Sequence, residues 1–144
     1  MIIDTPQSQL KQAIDSWAKA AQSKDVERII SHYSDEVVAY DAIGPLRFVG
    51  RAAYKAHWQA CMEMCTGEGM FEVHDPSFMI DENLGVAHYL LHCGGTDDKG
   101  QTQSCWMRVT QCFRKQGERW LIAHEHFSVP SDMESGKALF DLTP

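Results

Sequence analysis

The sequence predicts an α+β fold in which helices come first and an antiparallel sheet follows. In the first half, apolar residues recur at helical spacing, whereas from Met70 onward the pattern is extended and broken only by hairpin-length connections. The last strands also carry large apolar residues on both faces. Because helices can cover only one face of a sheet, we expect the other face to pack against a second copy in a two-fold dimer.

Two helices are predicted at the N-terminus. The first begins at Thr5-Pro6, where the Thr5 hydroxyl can cap exposed backbone N–H groups and Pro6 suits the first helical position. Its apolar residues recur over about four turns. They are Leu10, Ile14, Trp17, Ala18 and Ala21. Asp25 can cap a short second helix that ends near Tyr33.

A strand and a third helix follow. The β-branched segment EVVAYD predicts a strand that ends at Asp41, and Gly44-Pro45 then marks a turn. Gly50 precedes the third helix, which is predicted to end near Thr66-Gly67. One stripe of this helix contains Tyr54, Trp58, Cys61 and Cys65.

Four long strands are predicted for the second half, over residues 70–80, 85–96, 102–115 and 118–129. Side chains alternate between the two faces of a strand. One face of the last strand is therefore expected to contain Trp120, Ile122, His124, His126 and Ser128. Because this face changes from apolar to polar along the strand, we expect the two histidines to border a pocket. Apart from Glu125, the opposite face has the composition of a core.

Length and charge limit the class of protein. The 144 residues fit a single domain, with a core at about 7–130 and a C-terminal tail at 131–144. A net charge of -7 leaves no basic field for phosphate backbones, so we expect no nucleic-acid partner. The sequence has no apolar run long enough for a bilayer, and its first residues lack the basic flank and long apolar stretch typical of a signal peptide. The number of cysteines, five, is odd. We therefore expect no membrane association, reduced thiols and a cytoplasmic location.

Motifs in both halves of the chain form a set. The first half contains a capped helix with a Trp, a short helix that begins with KD, a strand that ends in YD, a Gly-Pro turn and a glycine that opens the third helix. The second half contains the segments RVT, FRK and HEHFSVP. The most specific part is Arg108-x-Thr110 followed by Trp120-x-x-x-His124-x-His126-x-Ser128. From about Leu10 to Pro130 the chain resembles the nuclear transport factor 2-like superfamily, in its SnoaL-like and ketosteroid-isomerase-like branch. The resemblance implies a cone-shaped, strongly curved antiparallel sheet wrapped around three helices, a pocket between them, and a dimer.

The same resemblance implies a general base at Asp41. The spacing from Asp41 to Gly50 is similar to that in ketosteroid isomerase between the base and the glycine opening the next helix. A carboxylate at the mouth of an apolar cavity can accept a proton from a carbon next to a carbonyl. The positions similar to that enzyme's oxyanion hole hold Trp17 and Thr110, which are weaker donors than a Tyr and a protonated Asp. The alternative is that Asp41 is a turn residue at the end of the strand.

Three interpretations of His124 and His126 are open. In the first, they act as acid or hydrogen-bond donors opposite Asp41, while Arg108 neutralises a carboxylate or enolate of the ligand. In the second, Arg108, His124 and Glu125 are structural: the buried cation and histidine are satisfied by nearby carboxylates, and the pocket serves only for binding or has no use. In the third, two imidazoles on one strand face bind a metal ion, although the spacing supplies no third ligand.

The sequence thus predicts a small-molecule pocket. Asp41, His124 and His126 are the candidate catalytic residues of a cofactor-independent isomerase, dehydratase or cyclase acting on a carbonyl compound. The candidate ligand-binding residues are Trp17, Tyr40, Trp58, Trp106, Arg108 and Thr110. The alternative is a non-catalytic ligand-binding or dimerisation module that binds a small carboxylate through Arg108. We expect no cofactor and no metal, and we assign no role to His32, His57 and His74.

Overall fold

The computed structural model describes residues 4–64 and 69–144, which form three helices and six strands. In chain order these are α1 (Pro6–Gln22), α2 (Val26–Ile30), β1 (Tyr33–Tyr40), β2 (Phe48–Val49), α3 (Arg51–Met64), β3 (Gly69–Ile80), β4 (Leu84–Thr96), β5 (Thr102–Gln116) and β6 (Arg119–Ser128). Among the described helices, none has the length and apolar character that a bilayer span requires.

The predicted helix starts are confirmed. The Thr5 side chain accepts a hydrogen bond from the backbone N–H of Ser8 at 3.1 Å, and Pro6 is the first helical residue. The Asp25 side chain does the same for Arg28 at 3.2 Å. These caps are local, so sequence spacing is enough to locate them. The predicted end of the third helix, with Cys65, lies outside the described residues.

The sheet is six-stranded, curled and unclosed, in the order β2-β1-β6-β5-β4-β3. Strands β3 to β6 form the predicted antiparallel meander. The α+β fold class is confirmed, but β1 lies parallel to β6, and the two-residue β2 was not predicted. Because β1 and β6 are far apart in sequence, no turn between them could indicate that their pairing is parallel.

Helix α1 covers the inner face of the sheet and provides much of the core. Leu10, Ile14 and Trp17 are buried on its inward side. A Cβ atom added to Gly85, on β4, would lie 2.7 Å from a methyl carbon of Leu10. The helix therefore packs against bare backbone at this point, and a residue larger than glycine would have to displace it.

A β-bulge in β6 reverses the direction of its side chains. Cys112 of β5 pairs with His124, and the next residue of β5 pairs with Ile122, which leaves Ala123 unpaired. Ile122 before the bulge and Glu125 after it are both buried. The prediction that His124 and His126 share the inner face with Trp120 and Ile122 is therefore wrong, because one extra residue shifts the alternation by one position.

The contact between α1 and β4 predicts a non-additive pair of substitutions. Gly85→Ala should cost about 1–3 kcal/mol by overpacking, and Leu10→Ala about 2–5 kcal/mol by leaving a cavity. In the double variant the new methyl group occupies part of that cavity, so we expect less destabilisation than the sum, by about 1 kcal/mol or more. Urea denaturation of the wild type, the two single variants and the double variant measures this coupling. Strict additivity would show that Leu10 of the helix does not pack against Gly85.

Candidate functional site

A cavity of about 320 Å³ opens on the inner face of the sheet, beside α3. Its wall is mostly apolar. The apolar contributors include Trp58, Met62, Phe71, Met107 and Phe127. The carboxyl group of Asp41 and the imidazole of His57 also line it, together with the side chains of Lys24, Cys61 and Cys93. A wider recess of about 660 Å³ lies at the start of α1, but its charged residues are exposed to solvent, so we regard the smaller cavity as the candidate site.

Asp41 and His57 form a pair in the cavity wall. The Nε2 atom of His57 lies 3.2 Å from Oδ2 of Asp41, and both side chains are largely buried, with 12% and 14% of their surfaces exposed. Asp41 directly follows β1, whereas His57 lies in the middle of α3. Because solvent screens such a pair only weakly, the two groups can hold and exchange a proton next to a bound molecule.

The neighbours of this pair restrict its movement. Oδ1 of Asp41 accepts a hydrogen bond from the backbone N–H of Ile43 at 3.1 Å. The ring of His57 packs on Phe48, with ring centres 4.3 Å apart, and is nearly parallel to the ring of Tyr54. The thiol of Cys61, one helical turn further along α3, lies 3.6 Å from Nε2 of His57. The carboxylate and imidazole are therefore held in position before any ligand binds.

A fully buried carboxyl group, that of Glu125, lies behind the pair. The hydroxyl groups of Tyr33 and Tyr54 donate to Oε2 of Glu125 at 2.8 and 2.5 Å, and the Gln111 amide donates to Oε1 at 2.6 Å. The hydroxyl oxygen of Tyr54 is also 3.5 Å from Oδ2 of Asp41. Tyr54 thus connects the buried carboxyl group to the cavity.

Burial shifts the acidity of this network. It raises the pKa of Glu125 to about 7, although the hydrogen bonds from Tyr54, Gln111 and Tyr33 act in the opposite direction. The nearby charge of Asp41 adds to the increase. Burial and the charge of Glu125 also raise the pKa values of Tyr33 and Tyr54 well above their usual value. Glu125 therefore changes protonation near neutral pH, while the two tyrosines remain hydrogen-bond donors.

The structure brings only two of the sequence-predicted site residues to the cavity, Asp41 and Trp58. Trp17 is buried behind them, where its indole N–H donates to the Tyr33 hydroxyl at 2.9 Å. The indole N–H of Trp58 is buried with no hydrogen-bond partner among residues 4–64 and 69–144, and the rings of Trp17 and Phe71 pack beside it.

The other predicted site residues lie on the outer face of the sheet. Nδ1 of His124 is 2.7 Å from the backbone oxygen of Val38, and the ring of Tyr40 packs on both His124 and His126. The exposed Arg108 donates to the Ser128 hydroxyl at 3.1 Å. Thr110 is paired with His126, and Trp106 with His92. None of the six residues predicted on these strands, which are Tyr40, Trp106, Arg108, Thr110, His124 and His126, lines the cavity.

Sequence reasoning missed His57 and Glu125. A sequence signal existed for Glu125, because it is the one charged residue on an otherwise apolar strand face. His57 gave a weaker signal: it is next to Trp58 on the third helix, but nothing in the sequence shows that this helix position faces Asp41.

Comparison with known proteins agrees with this architecture. The family model described as SnoaL-like domain matches residues 10–132. The chain belongs to the SnoaL-like family. This SnoaL-like protein is similar to a nuclear transport factor 2-like protein of unknown function from Pseudomonas putida KT2440, with 45% identity over 95% of each chain and a TM-score of 0.87. The superfamily assignment made from sequence is confirmed.

More distant structures share the fold alone. A nuclear transport factor 2-like superfamily protein from Salmonella enterica serovar Typhimurium is 19% identical, with coverage of 90% of this chain and 94% of that one and a TM-score of 0.75. A ketosteroid isomerase-like protein from Erwinia carotovora atroseptica is 15% identical, with coverage of 88% and 97% and a TM-score of 0.73. No curated protein matches the sequence.

The raised pKa of Glu125 predicts how stability depends on pH. Between about pH 4.5 and 7 the folded chain keeps a proton on Glu125 that the unfolded chain has released. As pH rises through this window, the loss of the Glu125 proton on unfolding should lower the free energy of unfolding by about 3 kcal/mol. Above the window Glu125 should cause no further change in the free energy of unfolding.

Glu125→Gln removes that contribution. Its loss of stability relative to wild type, measured by urea denaturation at several pH values, should be greatest near pH 4.5 and shrink toward pH 7. Glu118→Gln, at an exposed turn, is the matched control and should keep the wild-type pH profile. A difference that grows with pH would mean that Glu125 is charged in the folded chain.

Proposed function

We propose that this SnoaL-like protein binds a small, mostly apolar carbonyl compound in its cavity and moves a proton on that compound without a cofactor. The observation that carries the proposal is the Asp41–His57 pair, held 3.2 Å apart in the wall of an apolar cavity of about 320 Å³. Apolar walls bind the carbon skeleton, and few, well-placed polar groups select its orientation.

Asp41 is the proposed base. Its carboxylate takes a proton from the carbon next to the carbonyl, and the electron pair of that C–H bond becomes the double bond of an enolate. Return of the proton to a different carbon gives an isomer, whereas loss of hydroxide from the β-carbon gives a dehydrated product. The reaction class is therefore that of a cofactor-independent isomerase or lyase.

His57 takes the part that the sequence suggested for His124 and His126. Its Nε2 atom is next to the base, so a protonated His57 can donate to the developing oxyanion or to a leaving hydroxide. Glu125 has a positioning role, because its carboxyl group holds the Tyr54 hydroxyl 3.5 Å from Asp41. In this proposal His124 and His126 have no catalytic part, since they lie on the other face of the sheet.

We also infer a cytoplasmic homodimer that pairs through the part of the outer face around Tyr40 and Met79. Tyr40 and Met79, both large side chains on that face, are 39% and 62% exposed, which is the kind of surface that a partner covers.

A small molecule is the expected ligand, and the net charge of -7 argues against nucleic acid. The non-catalytic alternative, a small carboxylate bound through Arg108, would need a second site on the outer face, because Arg108 is there.

A binding experiment tests the cavity. 2-Naphthol mimics a planar enolate, whereas 2-methoxynaphthalene has a similar skeleton without the acidic oxygen. We expect 2-naphthol to raise the thermal unfolding midpoint of the wild type more than its ether does. Asp41→Asn should strengthen the response to 2-naphthol, since it removes a negative charge beside the bound oxygen, and the exposed control Asp98→Asn should not.

Proton transfer needs a separate measurement. Deuterium uptake from D2O into a panel of cyclic ketones, followed by NMR, should be catalysed by the wild type and slowed about 100-fold or more in Asp41→Asn and in His57→Gln. Asp98→Asn should exchange at the wild-type rate. Tight binding of 2-naphthol without any exchange would instead make this chain a binding module. Exchange that survives in Asp41→Asn would contradict the assignment of the base.

A further inference from the structure

We propose that Glu72, His74 and His92 form a binding site for a divalent transition-metal cation of the zinc class, on the outer face of the sheet. Glu72 and His74 are two residues apart on β3, and His92 is paired directly with Glu72 on the neighbouring β4. Their side chains project away from the cavity, whereas that of Cys93, the next residue on β4, lines it. The site is therefore separate from Asp41 and His57.

The distances between the three side chains suit a metal ion. Oε1 of Glu72 lies 3.3 Å from Nδ1 of His92 and 3.6 Å from Nε2 of His74. One ligand atom from each of the three side chains lies within 4.8 Å of the other two. Zinc binds imidazole nitrogen and carboxylate oxygen at about 2.0–2.2 Å, so neighbouring ligands of a tetrahedral ion are about 3.3–3.6 Å apart. An ion can thus occupy the space between these atoms with little movement of the strands.

The second ring nitrogen of His92 is positioned as in a metal site. Nε2 of His92 lies 3.1 Å from the hydroxyl of Ser104 on β5. If Nε2 carries the proton and donates it to Ser104, Nδ1 is left with a free lone pair facing Glu72. Hydrogen bonds of this kind to the outer nitrogen orient a metal-binding imidazole and select its tautomer.

His74 supplies an independent observation. Its Nε2 atom is buried and has no hydrogen-bond partner within the described chain, although the Glu72 carboxylate is 3.6 Å away. A buried polar atom without a partner is costly, and a bound cation would satisfy it.

Trp106 covers the cluster on one side. Its ring is stacked on that of His92, with centres 4.4 Å apart and planes 3° from parallel, and lies 4.7 Å from the ring of His74. A hydrophobic cover of this kind limits the access of water to the ligands and holds both imidazoles in place. Three protein ligands leave a fourth position of a tetrahedral ion open to water or to a solute.

The ligand set indicates the class of metal. Two imidazoles and one carboxylate are borderline ligands that suit Zn²⁺, Co²⁺ or Ni²⁺, whereas Mg²⁺ and Ca²⁺ prefer sites built from oxygen alone. The cation also bridges β4 and β3, and β3 is an edge strand of the sheet. We therefore infer that the bound ion stabilises the pairing of β3 with β4, its one neighbouring strand in the sheet.

Zinc titration of the full chain, stripped of metal with EDTA, tests the site. Isothermal calorimetry should show one Zn²⁺ per chain, and zinc should raise the thermal unfolding midpoint. His74→Gln, His92→Gln and Glu72→Gln should each weaken binding about 100-fold or more. Ser104→Ala should weaken it about 10- to 100-fold, as loss of an outer-sphere hydrogen bond does. The matched control is His88→Gln, an exposed histidine on the same face of β4, which should bind zinc like the wild type.

Cobalt distinguishes this site from zinc uptake elsewhere. The Co²⁺ protein should show the visible absorption bands of a four- or five-coordinate ion with nitrogen and oxygen ligands, and no thiolate-to-cobalt band in the near ultraviolet. A thiolate band would place the ion at the cysteines and overturn the proposal. So would the absence of stoichiometric zinc binding by the folded wild type, or binding that is lost in His57→Gln but kept in His74→Gln and His92→Gln.

Discussion

The carboxyl group of Glu125 has no access to water, so the protein must supply all of its hydrogen-bond partners. Those partners come from three separate elements: Tyr33 from β1, Tyr54 from α3 and Gln111 from β5. The network continues outward, since Tyr33 accepts from Trp17 of α1 and Gln111 accepts from Tyr89 of β4. One buried acid therefore sets the relative positions of two helices and four strands, if its own strand β6 is included.

This arrangement depends on the bulge at Ala123. Without the extra residue Glu125 would face outward, and the inner face would receive His124 in its place. The bulge thus determines which side chain of β6 lies behind the cavity. It is a buried carboxyl group, connected through Tyr54 to Asp41, and not an imidazole. Bulges are common next to functional sites because they change which side chains face the site, while the pairing of the strands continues beyond the extra residue.

The two faces of the sheet carry different kinds of polar group. On the inner face, Asp41 and His57 are shielded by apolar walls, which suits proton transfer on a small molecule. On the outer face, histidines and an acid lie side by side on β3 and β4 under a tryptophan, which suits a cation. The alternation of side chains along β4 keeps the two regions apart, because His92 points outward and Cys93 points into the cavity.

The sequence by itself determined what depends on near neighbours: the caps at Thr5 and Asp25, the helical stripes, the hairpin-connected meander, and Asp41 at the end of its strand. These features follow from backbone geometry and hydrogen bonds within a few residues, and they were enough for the α+β class and the family. Only the tertiary structure decided the parallel pairing of β1 with β6, the inward direction of Glu125 and the contact of His57 with Asp41. The physical reason is that the register between strands, and the face that a helix turns to a sheet, are set by packing between residues distant in sequence.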